Sequence, residues 1–123
     1  MDSKKKLSPE AYNVCFLKGT EPPGSGKYLH NKKKGMYVCA VCDNVLFESD
    51  TKYDSGTGWP SFWDSADRQA IKKVEDTGMG MVRTEVLCAK CGSHLGHVFD
   101  DGPREKTGLR YCINSLALDF KEK

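Results

Sequence analysis

Met81-Val82-Arg83-Thr84-Glu85-Val86-Leu87-Cys88-Ala89-Lys90-Cys91 is the stretch on which the fold turns. Met81, Arg83, Glu85 and Leu87 fall on one face of an extended chain, and Val82, Thr84, Val86 and Cys88 on the other. That period of two marks a strand with unlike faces. The strand runs directly into Cys88-Ala-Lys-Cys91, and two residues between cysteines let both sulfurs reach one ion. Cys39-Ala-Val-Cys42 repeats the spacing far upstream. Four thiolates complete a tetrahedral zinc site with no open coordination position, so the ion is expected to be structural. It would join two distant segments and so remove more loop entropy than a local clip. A dithiol redox centre is the competing reading of a CxxC pair; two pairs together favour zinc.

Working outward, Met36–Cys39, Val45–Phe47, Ala70–Val74, His97–Phe99, Arg110–Ile113 and Leu116–Phe120 read as short strands. Gly78-Met79-Gly80 and Asp100-Asp101-Gly102-Pro103 are turn signals between them. Short strands with frequent turns predict a mainly β protein of small antiparallel sheets, sandwich-like or barrel-like, pinned by the four-cysteine zinc site. One short N-terminal helix is expected over Pro9–Leu17. Ser8 would cap it, Pro9 suits its first turn, Glu10 suits its positive end and Gly19 stops it. Glu21 to Gly26 must be an irregular extended loop. Residues 1–7, with Lys4 to Lys6, read as a tail, and 8–123 as one domain. Lys32 to Lys34 read as a solvated turn.

A net charge of +2 is too small to argue for nucleic acid. The first twenty residues hold no apolar run, and no stretch approaches the ~20 apolar residues of a membrane span. The expected location is the cytoplasm. Cysteines in a reducing compartment bind metal or do redox work, and two of the six, Cys15 and Cys112, are left over from the CxxC pairs.

Cys112 sits in Arg110-Tyr111-Cys112-Ile113-Asn114. On a strand, Arg110, Cys112 and Asn114 share a polar face, while Tyr111 and Ile113 point into the core. A guanidinium one pleat away favours thiolate over thiol, so a functional thiol is expected in preference to an inert buried one. His94 and His97 follow the second CxxC pair. They could ligate zinc, but four cysteines already fill the site, which favours proton chemistry instead. Trp59, in the restrained loop Thr57-Gly58-Trp59-Pro60-Ser61-Phe62, offers an indole face that suits a methyl or thioether group.

Gly58-Trp59-Pro60-Ser61-Phe62, His94-Leu95-Gly96-His97-Val98-Phe99, Asp101-Gly102-Pro103 and Arg110-Tyr111-Cys112-Ile113-Asn114-Ser115 together resemble the signature of the B-type methionine sulfoxide reductases. Gly19-Thr20-Glu21-Pro22-Pro23 and both CxxC pairs match in order, so the resemblance runs from about Leu7 to Lys121. It implies structural Zn2+ on Cys39, Cys42, Cys88 and Cys91, and attack by Cys112 on the sulfoxide sulfur of methionine-R-sulfoxide in oxidised proteins or peptides. It further implies that Trp59, with Phe99, holds the substrate. His94, His97, Asp101, Arg110 and Asn114 complete the site, the histidines protonating the departing oxygen through water. The product is a Cys112 sulfenic acid, reduced by a thioredoxin-like dithiol or another thiol. Where many relatives carry a resolving cysteine, this chain has Thr57. Cys15 is therefore the candidate resolving thiol; the alternative is that Cys15 is a core residue and an external thiol reduces Cys112 directly. Asp100, where the family often has proline, is expected only to alter a turn. The rival class, a zinc-ribbon-like binding module, accounts for the CxxC pairs, the lysine runs and the aromatics, but not for Cys112 between Arg110 and Asn114.

Overall fold

The structure, a computed structural model, describes residues 8–17, 19–67, 69–77 and 82–122. The expected tail over 1–7, the turn over 78–80 and Met81 lie outside the described residues. Helix α1 spans Pro9–Leu17. The Ala11 amide donates to Ser8 Oγ at 3.1 Å, which caps the helix, and the Gly19 amide returns to the Asn13 carbonyl at 3.0 Å, which closes it. Ala11, Val14 and Cys15 form its buried side.

Beyond α1 and short 3-10 turns, the regular elements of the described residues are strands. They are β1 (Gly35–Cys39), β2 (Val45–Glu48), β3 (Lys52–Tyr53), β4 (Ser61–Phe62), β5 (Ile71–Asp76), β6 (Arg83–Cys88), β7 (His94–Phe99), β8 (Arg110–Ile113) and β9 (Leu118–Glu122). A three-stranded sheet has the order β2-β1-β9, and a six-stranded sheet the order β3-β4-β8-β7-β6-β5. Every pairing is antiparallel. The chain is thus mainly β, with two small antiparallel sheets and one short helix. Side chains from both sheets and α1 share one core, in which Tyr37, Phe47, Phe62, Leu95, Ile113 and Leu118 are essentially inaccessible. Phe47 and Phe62 stack at 4.4 Å between centroids, and Tyr37 meets Phe62 edge-on at 5.1 Å. These rings pack across the two sheets and bury large apolar surface where the sheets meet.

The strands differ from the sequence reading in several places, among them β5, which runs Ile71–Asp76 and not Ala70–Val74. β3 and β4 have two residues each, too short for any periodicity to reveal. β7 begins at His94, not His97. Residues 115–117 form a 3-10 turn, so β9 starts at Leu118; the Ala117 carbonyl accepts from the Ala40 amide instead of continuing a ladder.

Strand register then sets the functional face. β8 lies between β4 and β7, with Ser61 opposite Cys112 on one side and His97 opposite Cys112 on the other. Between β6 and β7 the register slips: Val86 pairs with Gly96, but Leu87 pairs with His94. Leu95 is the extra residue of a β-bulge. Without it, His94 and His97, three apart, would point to opposite faces; with it, their rings meet.

β7 and β8 approach closely at Gly96, where an added Cβ would collide with the Cys112 carbonyl oxygen and lie 3.0 Å from Ile113 Cα. Both are backbone and cannot swing aside. Gly96→Ala is therefore expected to cost about 1–3 kcal/mol in urea unfolding, through overpacking. An unchanged midpoint would show that the two strands have slack.

Candidate active site

The register places Tyr53, Ser61, Cys112, His97 and Glu85 in one row across five adjacent strands, each the cross-strand partner of the next. Tyr111 and Ile113, which alternate with Cys112, are buried in the core, so the thiol faces away from it. A cavity of about 250 Å3 opens there. Trp59 and Phe99 supply its aromatic surface, and Cys112, Arg110, His97 and Thr57 its polar one.

Trp59 is fixed from outside the sheet. Its indole Nε1–H donates to the Glu21 carbonyl at 2.9 Å. The Glu21 amide donates to Asn114 Oδ1 at 3.0 Å, and Asn114 Nδ2 donates to the Leu95 carbonyl at 2.9 Å. The buried Glu21 carboxylate also accepts the Leu116 amide at 3.0 Å. Asn114 lines the cavity, and through these bonds it also ties the Thr20–Glu21 loop and Trp59 to the strand that carries Cys112.

Arg110 lies with its guanidinium 4.4 Å from the centre of the Phe99 ring. Its Nε and Nη2 donate to the two oxygens of Asp101 at 2.8 and 3.1 Å. That bidentate bond holds the Asp101 carboxyl below its ordinary range and raises Arg110 above its own. Asp101 does not line the cavity; it is exposed and grips Arg110 from outside. Arg110 pulls Cys112 toward thiolate, the direction expected from the sequence, but a larger effect opposes it. Burial pushes the Cys112 thiol above its ordinary range, outweighing the opposite pull of the Thr57 hydroxyl and of Arg110. Much of the guanidinium charge is already met by Asp101.

The two histidines occupy different positions. His97 lines the cavity, and its Nε2 lies 3.0 Å from Asp76 Oδ2, which also accepts from Arg83 Nη2 at 3.3 Å. His94 is buried, does not line the cavity, and has Nδ1 2.7 Å from Glu85 Oε2. The rings meet edge-on at 5.6 Å. Each imidazole thus has a carboxylate partner from a nearby strand. Asp76 and Glu85 escaped the sequence reading as site residues. Glu85 was visible as a charge in an alternating strand, but nothing in the order of residues says which histidine it meets. Cys15, on the buried side of α1, is 3% exposed, packs in the core that Tyr111 and Ile113 join, and does not line the cavity. Burial pushes its thiol up to about 12.

The four CxxC sulfurs converge. All lie within 4.8 Å of one another, with Cys39 to Cys91 at 3.6 Å and Cys42 to Cys88 at 3.5 Å. A tetrahedron with metal–sulfur bonds of about 2.3 Å has edges of about 3.8 Å, so the cluster has the size of a metal cage. The cysteines are unbridged, and among the described residues this is the one such cluster; neither His94 nor His97 belongs to it. It pins the loop after β1 to the loop after β6.

A recessed thiol thus shares one cavity with a guanidinium, an imidazole and an indole, in a protein whose two CxxC loops converge on a four-cysteine cluster. The SelR domain family matches residues 7–122. The chain is 60% identical over 117 residues to the peptide methionine sulfoxide reductase MsrB of Pseudomonas syringae pv. syringae, covering 95% of this chain and 88% of that one. It is 58% identical over 118 residues to the protein of that name from Methanosarcina barkeri, covering 96% and 82%. The Leptospira interrogans MsrB is 56% identical over 122 residues, covering 99% and 92%. The chain belongs to this family, the B-type peptide methionine sulfoxide reductases.

Removing one sulfur of the cage tests its structural role. Cys39→Ser is expected to lose bound divalent metal and to lower the thermal midpoint by more than about 10 °C, because metal binding supplies folding free energy. Retention of both the metal and the midpoint would contradict a structural cage.

Proposed function

We propose that the chain reduces methionine-R-sulfoxide, in oxidised proteins and peptides, to methionine, with Cys112 as the nucleophile. The observation that carries this reading is Cys112 facing a cavity that combines an indole, a guanidinium and an imidazole. A sulfoxide sulfur bears a methyl group, an oxygen and the rest of the side chain. The methyl group packs on Trp59, the oxygen turns toward His97 and Arg110, and Cys112 attacks the sulfur; these three fixed directions admit one epimer. A sulfoxide oxygen leaves poorly until protonated. The Cys112 thiol keeps its proton while the cavity is empty, and an imidazole relays that proton to the oxygen as the sulfur attacks. His97 stands nearest, backed by Asp76; His94, backed by Glu85, acts through water behind it. The step balances as thiol plus sulfoxide giving sulfenic acid plus thioether. Attack forms a bond between the Cys112 and substrate sulfurs as the substrate S–O bond breaks and the protonated oxygen leaves as hydroxide. That hydroxide then bonds the Cys112 sulfur and displaces methionine, so the substrate sulfur is reduced by two electrons and Cys112 is oxidised by two.

Two further thiols return Cys112 to the thiol, yielding a disulfide and water. A thioredoxin-like dithiol acting directly on Cys112, in the cytoplasm, is the reading favoured by the burial of Cys15. A Cys15–Cys112 disulfide would need Cys15 to leave the core side of β8. Cys39, Cys42, Cys88 and Cys91 hold Zn2+, which serves stability and takes no part in the reaction. The described residues include no helix long and apolar enough to cross a membrane.

The test is incubation with a racemic methionine sulfoxide peptide. With dithiothreitol, the wild type is expected to consume only the R-epimer, and Cys112→Ser none, at unchanged circular dichroism. Without reductant, mass spectrometry after one turnover is expected to find one added oxygen on Cys112 and no Cys15–Cys112 linked peptide. Consumption of the S-epimer, or turnover by Cys112→Ser, would overturn the assignment; a linked peptide would restore Cys15 as the resolving thiol.

A further inference from the structure

Four side chains beside the cavity form a continuous chain of contacts, three hydroxyls and a thiol. Ser61 Oγ donates to the Trp59 carbonyl at 3.1 Å. Ser55 Oγ lies 2.6 Å from Ser61 Oγ and 2.9 Å from Thr57 Oγ1, and Thr57 Oγ1 lies 3.7 Å from Cys112 Sγ. Ser61 is fully buried, and Ser55 and Thr57 are half-buried.

Each hydroxyl carries one hydrogen, which makes the chain directional. Since Ser61 gives its hydrogen to the Trp59 carbonyl, it accepts from Ser55; Ser55 then accepts from Thr57, and Thr57 accepts from the Cys112 S–H. With the thiol protonated, four hydrogens make four bonds and every group is satisfied. When the thiol proton departs toward the cavity, the sulfur becomes an acceptor. Thr57 must turn to donate to it, Ser55 to Thr57 and Ser61 to Ser55, and the Trp59 carbonyl loses its donor.

We propose that Ser61, Ser55 and Thr57 form a reversible hydroxyl relay that stabilises the Cys112 thiolate and links its formation to the backbone of Trp59. Thr57 touches the reacting sulfur; Ser55 and Ser61 are positioning residues that act through it. The inference rests on Cys112 being the nucleophile, and it gives the position at which many relatives place a resolving cysteine a role before the oxidation step. Its strength comes from polarisation along the chain, since a hydroxyl that itself accepts a hydrogen bond donates a stronger one. A bond to a charged sulfur is stronger than one from a neutral thiol, so the relay favours ionisation.

Other charged groups act on the same sulfur. Arg110 with its partner Asp101 lies on the β8 side, and His97, bonded to Asp76, faces it from β7. Tyr53 stands beyond Ser61 in the row from β3, and Arg83 of β6 lines the same cavity. All of these groups are retained in every variant below. The loop itself is held by other bonds: the Gly56 amide donates to Asp54 Oδ1 at 3.0 Å, and the Gly24 amide donates to the Gly58 carbonyl at 2.7 Å.

The experiment is the pH dependence of iodoacetamide alkylation at Cys112, followed on the Cys112 peptide by mass spectrometry, with the zinc-loaded protein and no sulfoxide present. Thr57→Val, which keeps shape and removes the hydroxyl, is expected to raise the midpoint by about one pH unit, the scale of one hydrogen bond to a charged group. Thr57→Ser should restore the wild-type midpoint. Ser55→Ala should raise it in the same direction although Ser55 does not touch the sulfur, and should add nothing in the Thr57→Val background. An unmoved midpoint in Thr57→Val, or in a Ser55→Ala protein with wild-type thermal midpoint, overturns the relay. So does additivity of the two substitutions. Because the readout needs no turnover, it is independent of whether methionine sulfoxide is the substrate, and loss of sulfoxide reduction with an intact alkylation pattern would count against the proposed function alone.

Discussion

The pairing of β8 between β4 and β7 is the constraint from which the site follows. Because Ser61, Cys112 and His97 are direct cross-strand partners, the sulfur has a hydroxyl-bearing strand on one side and an imidazole-bearing strand on the other. A slip of one residue on β8 would send Cys112 into the core and bring Tyr111 or Ile113 to the cavity. The slip is opposed by Tyr111 and Ile113, which are buried against aromatic side chains shared with the smaller sheet. Close approach at Gly96 and the bulge at Leu95 complete the arrangement, the first by bringing β7 against β8 and the second by turning both histidines to one face.

Within this frame the electrostatics favour a thiol that waits. Burial opposes charge on Cys112, and the nearest cation is already bound by Asp101. The groups that would stabilise a thiolate or protonate an oxygen are held by partners of their own: Arg110 by Asp101, His97 by Asp76, His94 by Glu85. Such pairing fixes geometry before substrate arrives, which is where a preorganised site gains its advantage. A resting thiol, less nucleophilic than its thiolate, is also slower to react with stray oxidants.

Much of this was legible in the order of residues, and the reasons are local. The helix at Pro9–Leu17 announced itself through Ser8, Pro9 and Gly19, which act within one turn of where they stand. The opposite faces of Cys112 and Tyr111 followed from strand geometry alone, and the four-cysteine cluster from two spacings. What stayed hidden depends on which strands meet. Neither Asp76 nor Glu85 can be assigned to a histidine without the order β8-β7-β6-β5. The bulge at Leu95 leaves no compositional trace, so His94 read as equivalent to His97 although only His97 lines the cavity. The charge on Arg110 looked available because its partner Asp101 lies across a turn, nine residues away.

The most direct measurement is a crystal structure of the Cys112→Ser protein with a methionine-R-sulfoxide peptide bound. Attack by Cys112 in this cavity predicts the substrate methyl group against the Trp59 indole and the sulfoxide oxygen toward His97 and Arg110. It places the sulfoxide sulfur about 3–3.5 Å from the hydroxyl oxygen that replaces the thiol at position 112, a distance from which attack can begin. A peptide bound with its sulfoxide outside this cavity, or with the oxygen turned toward Trp59, would contradict it.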